Sequence, residues 1–543
     1  MSAARDLTPP PDLLHDAPFA GPVRTRRPVY VDLLPPCNDA CPAGENIQAW
    51  LAAVRDKDFG KAFDILTGDN PLPAVHGRVC YHPCEDACNR LHLDEAVSIH
   101  AVERFVGDEA RRSGRSFQIT ARQASGKRVL VIGAGPSGLS AAYHLARRGH
   151  LVEVRDAGGE PGGMMRYGIP AYRLPRDVLA ADIARIEALG VTFTMNHRVT
   201  DLEAERQGFD AVFVAVGAHL SRHAEIPARD ASRIVDALSF LREVAAGGQP
   251  VIGRRVAVYG GGNTAMDAAR TARRLGADEA LIVYRRTRAK MPAHEEEAAA
   301  AEKEGIRINW LRTITDFEGP EMTVEVMELG DDGYPRPTGR LETLRADTLI
   351  LALGQDADTG FLRPLPGVEF NRDGTVVVDG HMMTGCPGVF AGGDMVPAER
   401  TVTVSTGHGK KAAAFIDAYL RGEPAAARPR HDLADFGRLH PWYFADIRPR
   451  EQSERAAASR VTDFGEVTAG LTDDEAVFEA GRCLSCGNCF ECDGCLGACP
   501  EDAVIKLGPG HRYRFDYDRC TGCGICYEQC PVHAIDMVPE EGR

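Results

Sequence analysis

Val129-Leu-Val-Ile132-Gly133-Ala-Gly135-Pro-Ser-Gly138 is the stretch that decides the architecture of most of this chain. Four successive apolar residues, 129–132, read as a buried strand, and the glycines end it in a turn that opens a helix over 139–148. A second strand, 151–154, leads to Asp156. In such a unit Gly133 makes the tight turn, Gly135 lets the backbone approach a pyrophosphate, and Gly138 lets helix and strand pack closely. Pro136 and Ser137 complete the turn, and the helix N-terminus turns free N–H groups toward the phosphates. Asp156 stands where an acid holds ribose hydroxyls. A bare turn is the alternative, but strand, helix, second strand and acid are all in place.

The unit recurs. Val256-Ala-Val-Tyr259 is a strand, Gly260-Gly-Gly262-Asn263-Thr264-Ala265 a turn, and 266–275 a helix. The next strand, 280–284, ends on Arg285 and Arg286, with Arg288 nearby, instead of an acid. An acid there would repel a 2′-phosphate, whereas arginines pair with one bidentately, which points to NADPH over NADH. The alternative is that these arginines are solvated loop charges. Two dinucleotide units suggest FAD in the first and the nicotinamide in the second. The strand–helix alternation runs from residue 127 to about 420 and implies parallel sheets.

The chain has 543 residues, too many for one core, with 44% hydrophobic and 26% charged residues, as in ordinary globular proteins. Its net charge of −15 argues against nucleic acid as a main partner. No apolar run reaches the ~18 residues of a membrane span, and the Pro-rich start lacks the pattern of a secretory signal. The sixteen cysteines fall into two groups, 37–88 and 483–530, apart from Cys386, which reads as a buried apolar filler. Clustering at metal spacing without a signal segment points to metal or redox work in a reducing, cytoplasmic setting.

Cys489-x2-Cys492-x2-Cys495-x3-Cys499-Pro500 and Cys520-x2-Cys523-x2-Cys526-x3-Cys530-Pro531 form the pattern of a two-cluster bacterial ferredoxin. The fourth cysteine of each run there ligates the other cluster. One 4Fe-4S cluster then takes Cys489, Cys492, Cys495 and Cys530, and the second Cys520, Cys523, Cys526 and Cys499. Zinc or unmetallated thiols are the competing readings, and zinc needs no crossed, Pro-terminated run.

The order of the two glycine turns resembles the two-dinucleotide-binding flavoproteins. Gly388-Val-Phe-Ala-Gly-Gly393-Asp394 is similar to that family's late FAD motif, which implies that Gly393 and Asp394 bind FAD. Ala215-Val-Gly217 and Ala352-Leu-Gly354 are similar to its crossover strands. Cys37-x3-Cys41-Pro42, Gly77-Arg-Val-Cys80, Pro83-Cys84-Glu85, Cys88, Gly162-Gly163-Met-Met-Arg-Tyr167 and Tyr284-Arg-Arg-x4-Met291-Pro292 resemble the glutamate synthase small subunit, over about residues 35–420. The resemblance adds Gly163 to the FAD set. It implies a cluster held by Cys41, Cys80, Cys84 and Glu103, although Glu103 also reads as a solvated helix residue. His100 reads as a surface or packing residue.

A second N-terminal cluster in that family needs a C-x2-C just before Cys37, and residues 31–36 contain no cysteine. The missing stretch resembles Glu479-Ala-Gly-Arg-Cys483-Leu-Ser-Cys486-Gly487 at the other end of the chain. Cys483 and Cys486 are therefore expected to complete a site with Cys37 and Cys88, giving four clusters in all. The alternative is that this cluster is lost and the four cysteines are relics.

The expected fold is multidomain α/β. A flexible lead (1–30) precedes a helical iron–sulfur domain (31–125), which includes helices over 46–54 and 96–111. A split FAD domain (126–249 and 346–420) encloses an inserted NAD(P)H domain (250–345), both Rossmann-like. A linker (421–480), with a capping box at 472–475, leads to an α+β ferredoxin domain (481–543). The function implied is an NAD(P)H-dependent FAD and iron–sulfur oxidoreductase, with direct hydride transfer to the flavin and no catalytic side chain. It would serve ferredoxin or a partner subunit such as a 2-oxoacid:ferredoxin oxidoreductase, in a hetero-oligomer. A glutamate synthase small subunit and a scaffold with vestigial sites are the alternatives. The first lacks the ferredoxin tail, and the intact glycines, acids and cysteine runs speak against the second.

Overall fold

The structure, a computed structural model, describes residues 24–118, 123–222, 226–227, 233–424 and 431–540. The apolar run Arg128–Ile132 is the central strand of a five-stranded parallel sheet. It lies between Ala211–Val214 and Leu151–Arg155, with Val389–Ala391 and Thr192–Thr194 at the edges. Residues 129–132 are buried, as a strand covered on both faces requires. Helix Pro136–Arg147 follows the turn, with proline at its first position, where the missing N–H costs nothing. Helix Val402–Arg421 packs along it so closely that a Cβ on Gly409 would stand 2.2 Å from the Ser137 carbonyl oxygen.

The second parallel sheet runs Arg307–Trp310, Glu279–Tyr284, Arg255–Tyr259, Thr348–Leu351, Arg233–Asp236. The expected 250–345 boundary is therefore too narrow. Arg233–Asp236 and Thr348–Leu351 pair with each other inside this sheet, and helix Ala237–Ala245 buries Ala237, Phe240 and Leu241 in its core. The edge strand was misplaced because its parallel partner lies more than a hundred residues away, beyond any local pattern. The expected crossover strands 215–217 and 352–354 are irregular connections, not strands, each ending on a glycine of positive φ, Gly217 at +70° and Gly354 at +111°. The two-stranded link itself is Leu220–Ser221 against Gln355–Asp356.

The N-terminal region is helical. Ile47–Arg55 and Ile99–Arg112 fall close to the expected 46–54 and 96–111. Pro73–Val79 crosses Ile99–Arg112 with backbones in contact. A Cβ on Gly77 would lie 2.3 Å from Arg104 N, and one on Gly107 would lie 2.4 Å from Ala74 N. This crossing brings Cys80, at the end of the first helix, toward Glu103 on the second.

The two chain ends meet. Of the expected flexible lead, residues 1–23 lie outside the described residues, but Arg26–Tyr30 is a strand antiparallel to Ile535–Pro539. It gives the edge of the ferredoxin-like segment a hydrogen-bonding partner, and Tyr30 stacks on Phe515 at 5.2 Å. Of the expected linker 421–480, residues 425–430 lie outside the described residues, and much of the remainder is packed. Helix Val402–Arg421 extends through Arg421, and Ala434, Leu439, Arg460, Val467 and Leu471 are buried. The Thr472 capping box with Glu475 opens helix Asp473–Gly481, which lies on Ile47–Arg55 and Ile99–Arg112. Its low density of apolar runs reflects a strap held by arginines. Among the described residues, no helix is long and apolar enough to cross a membrane.

Candidate functional site

Both glycine turns open into one cavity of about 400 Å³. The two turns are built alike. Gly133 and Gly260 have φ of +107° and +149°, and a Cβ on either would lie 2.2 Å from the carbonyl oxygen of Ala215 or Ala352. Only glycine accepts that conformation and that approach. A Cβ on Gly138 would stand 1.8 Å from the Gly133 oxygen, so helix and strand could not close over a side chain. Ala265 takes the matching place in the second turn and is fully buried.

Gly135 and Gly163 face each other across the first turn. A Cβ on Gly163 would come 2.8 Å from Gly135 Cα, while one on Gly135 meets nothing nearer than 4.0 Å. This bare backbone slot, at the N-terminus of Pro136–Arg147, suits a pyrophosphate. Ser137 Oγ is buried there with no hydrogen-bond partner in the protein, as a group reserved for a ligand would be. Asp156 lines the cavity while its carboxylate accepts from Ala134 N and Gly158 N, both at 2.6 Å. Asp394 lines it too. It accepts from Ser405 Oγ at 3.1 Å, and burial raises its pKa. Gly393 N donates to His408 Nδ1 at 3.1 Å. These residues fit FAD.

In the second turn Gly262, Asn263 and Thr264 line the same cavity, and a Cβ on Gly262 would meet nothing within 4 Å. Asn263 Oδ1 accepts from His294 N at 3.0 Å. Arg285 is exposed and Arg286 half-buried, with its guanidinium 6.0 Å from the Tyr334 ring centre. Neither appears in an ion pair among the described residues, whereas Arg288 is tied to Glu295 and Glu302. The turn fits a nicotinamide dinucleotide, with Arg285 exposed beyond its second strand and Arg286 held beside Tyr284 and Tyr334.

The cysteines gather into four groups. Cys489, Cys492, Cys495 and Cys530 line one pocket with Tyr30, and Cys499, Cys520, Cys523 and Cys526 line another with Pro28. The crossed grouping expected from the two runs is thus the spatial one. Cys37, Cys88, Cys483 and Cys486 line a third pocket, although nearly four hundred residues separate Cys88 from Cys483. Asn89 Nδ2 donates to Cys486 Sγ at 3.3 Å and to the Ala434 carbonyl at 2.7 Å. Arg482 holds the two halves together. Its guanidinium donates to Glu479 and Asp94 and to the Ile447, Glu95 and Ala96 carbonyls, and Arg90 Nη1 donates to the Arg482 carbonyl at 2.7 Å.

The fourth expected set is Cys41, Cys80 and Cys84 with Glu103, drawn toward one another by the contact of Pro36–Ala40 with Pro83–Asp86 and by the crossing of Pro73–Val79 and Ile99–Arg112. Glu103 is 6% exposed, so the solvated-helix reading falls. Its charge reaches Cys41 and Cys80, while the charges of Cys80, Cys41 and Cys37 reach Cys84. Burial pushes the Cys80 thiol up to about 12, and also Cys486 and Cys526 to about 12 and Cys483 to about 11. Thiols so buried would stay protonated without a cation, and a metal that holds them as thiolates removes that cost. The donor sets suit iron–sulfur clusters. Cys386 is buried and stands apart from all four groups. His100 is half-buried, bonded to Glu85 at 2.8 Å and stacked on His82.

Three features escape a reading of local pattern. Val79 and Tyr81, which flank Cys80, form part of the wall of the dinucleotide cavity. Tyr81 stacks on His294 with ring centres 3.5 Å apart, and Arg173 bonds Asp267 at 2.8 Å and also Glu297, clamping the nicotinamide unit against the cysteine loop. Glu45 and Asn70 are buried beside Glu103. An acid four residues after Cys41 was the only signal for Glu45.

Comparison with known proteins accounts for this combination. Residues 127–409 match the model of the pyridine nucleotide-disulphide oxidoreductases. Residues 32–115 match that of dihydropyrimidine dehydrogenase domain II, 4Fe-4S cluster, and residues 513–536 a 4Fe-4S binding domain. The beta subunit of an NADP(+)-dependent formate dehydrogenase from Moorella thermoacetica is 39% identical, over 83% of this chain and 70% of its own length. The beta subunit of an NADPH-Fe(3+) oxidoreductase from Geobacter sulfurreducens is 34% identical, over 83% of this chain and 75% of its own. The small chain of an NADPH glutamate synthase from Azospirillum brasilense is 33% identical, over 72% and 88%. With its paired glycine turns on one cavity and its cysteine pockets, this chain belongs to the pyridine nucleotide-disulphide oxidoreductase family, as a flavin- and NAD(P)-dependent oxidoreductase with 4Fe-4S sites.

Proposed function

We propose that the chain is the electron-input subunit of a larger NADPH-linked complex, with the sixteen ligands grouped as above into four 4Fe-4S sites. A flavin bound here would supply the exchange between one hydride, carrying two electrons, on the nicotinamide side and single electrons on the cluster side. The chain's own residues supply placement. Gly133, Gly135, Pro136, Ser137, Gly138, Asp156, Gly163, Gly393 and Asp394 hold FAD. Gly260, Gly262, Asn263, Thr264 and Ala265 hold the nicotinamide dinucleotide, and Arg285 with Arg286 receives its 2′-phosphate. Direct transfer between the two rings needs no acid or base from the protein.

The observation that carries this reading is the succession of sites. Val79 and Tyr81, the two neighbours of Cys80, stand in the cavity wall, and Cys84 lies near Cys37. The pocket of Cys37, Cys88, Cys483 and Cys486 continues three residues later into the ferredoxin run. Cys523 is the exposed cysteine among the described residues. The path leads from the dinucleotides to the surface of the segment 481–540, where a one-electron protein partner, a ferredoxin or a catalytic subunit, would dock. The working units are the helical region 31–125, the FAD unit split around a nicotinamide unit spanning 233–351, the strap, and the ferredoxin-like end. Buried thiols at metal spacing support a reducing, cytoplasmic setting.

The formate dehydrogenase and Fe(3+) oxidoreductase relatives align with more of this chain than the glutamate synthase small chain does, which favours a complex of the first kind. The test is anaerobic purification, quantification of flavin and iron, and assay of viologen and ferredoxin reduction by NADPH and NADH. Bound flavin, about sixteen irons per chain and NADPH-driven turnover are expected. A preparation with neither flavin nor iron would sink the proposal. Stimulation by a glutamate synthase large subunit alone would favour the second reading.

A further inference from the structure

We infer that Asn70 is a positioning residue for the carboxylate-ligated iron–sulfur site, aiming Glu103 at Cys41, Cys80 and Cys84; this rests on the reading of Glu103 as a ligand. Asn70 is fully buried, and its amide orientation is dictated on both sides. Oδ1 accepts from Leu72 N at 2.9 Å, so Nδ2 must point the other way. There it donates one N–H to Glu103 Oε1 and the other to Glu45 Oε1, each at 2.9 Å. A flipped amide would set its oxygen against two carboxylates and leave Leu72 N without an acceptor. Aspartate could not donate, and glutamine would carry its amide one methylene too far.

The other polar groups around Glu103 include Glu45, which lies within hydrogen-bonding reach of it, His76 and Lys410. His76 Nε2 is engaged with Thr406 Oγ1 at 3.0 Å, and its Nδ1 lies 4.0 Å from Glu103 and 3.9 Å from Glu45. Lys410 Nζ is taken by the Ala43 and Gly44 carbonyls and by Asp69. Asn70 is thus the neutral donor shared by two neighbouring buried carboxyl groups, and its fixed amide sets the direction of Glu103. An N–H donor to a ligand oxygen orients it and withdraws charge from it, which raises the reduction potential of the group it binds.

The test uses the full chain purified anaerobically, comparing Asn70→Leu, Asn70→Ser, Glu45→Gln and Glu103→Ala. Iron content, the EPR spectrum of the reduced protein and a potentiometric titration are read for each. Asn70→Leu is expected to retain its flavin, to alter the g values of one cluster and to move its midpoint to more negative potential. Glu103→Ala should alter the same signal. Glu45→Gln should leave it nearly unchanged, because the bond from Asn70 to Glu103 survives. If Asn70→Leu does not fold, Asn70→Ser decides by the same readout, since its single short donor cannot span both carboxylates. If Glu103→Ala disturbs the signal and the Asn70 variant does not, the inference is overturned while the ligand reading stands. If Glu103→Ala changes no signal, the ligand reading itself fails.

Discussion

Replacing Arg482 with methionine should detach the C-terminal cysteine pair from the N-terminal one. The Arg482 side chain is 1% exposed and uses all its donors. Nε goes to the Ile447 carbonyl at 3.0 Å, Nη1 to the Ala96 carbonyl at 2.8 Å and Glu479 Oε1 at 2.6 Å, and Nη2 to the Glu95 carbonyl at 2.7 Å and Asp94 Oδ1 at 3.1 Å. Methionine keeps the length and removes every donor. Glu479, fully buried, retains the Ser98 and Arg450 amides, and Asp94 retains Arg90. Those partners soften the loss but leave a carboxylate without its counter-charge and three carbonyls without donors. Breaking a buried ion pair in this way costs about 3–5 kcal/mol. Because Arg482 immediately precedes Cys483, the penalty falls on the pocket of Cys37, Cys88, Cys483 and Cys486. The expected result is a lower Tm and the loss of about four irons per chain, with flavin retained. Arg482→Lys, with a charge but fewer donors, should lie between. A methionine variant with full iron and unchanged Tm would refute the idea that this guanidinium joins the chain ends.

Other outcomes can be checked separately. Gly138→Ala should destabilise the fold by at least about 1–3 kcal/mol, since its Cβ would overlap the Gly133 carbonyl. Gly135→Ala should instead leave thermal unfolding unchanged and lower flavin retention. Calorimetry with absorbance at flavin wavelengths distinguishes the two. Arg286→Ala should raise the KM for NADPH about 10- to 100-fold, the worth of a charge-assisted contact of roughly 1.5–3 kcal/mol, and leave that for NADH unchanged; equal effects on both would sink the 2′-phosphate assignment. Burial holds His144 well below the ordinary value of 6.5, so the unfolded chain takes up a proton that the fold excludes. Stability is then fullest above pH 6.5 and falls as the pH drops, by about 1.4 kcal/mol one unit below. His144→Gln should flatten that part of the pH–stability curve, and an unaltered slope would count against a neutral buried imidazole.

Local chemistry was legible where neighbours in sequence are neighbours in space. The glycine turns at 133–138 and 260–265 could be read because each glycine answers to a strand or helix within a few residues, or to a crossover connection marked by its own motif. The capping box at Thr472 and the helix near Glu103 were readable for the same reason. Arg26–Tyr30 was not, since its partner strand lies some five hundred residues on and five residues carry no signal of what they will pair with. The strand Arg233–Asp236 and the packed strap failed similarly, because a parallel edge and a chain held by buried arginines leave no periodic trace.

Spacing, together with the family resemblance its motifs carry, pointed to the types of cofactor: thiolates two apart, an N-terminal helix turn free of side chains, and acids or arginines at strand ends are constraints written in short range. It also suggested, through a displaced Cys-x2-Cys, that Cys483 and Cys486 lacked partners. Which cysteines share a pocket, that Val79 and Tyr81 on either side of Cys80 wall the dinucleotide cavity, and that Asn70 stands between two buried acids depended on the folded chain. Those relations join residues up to several hundred positions apart, and only packing, which pairs surfaces without regard to sequence distance, can bring them together.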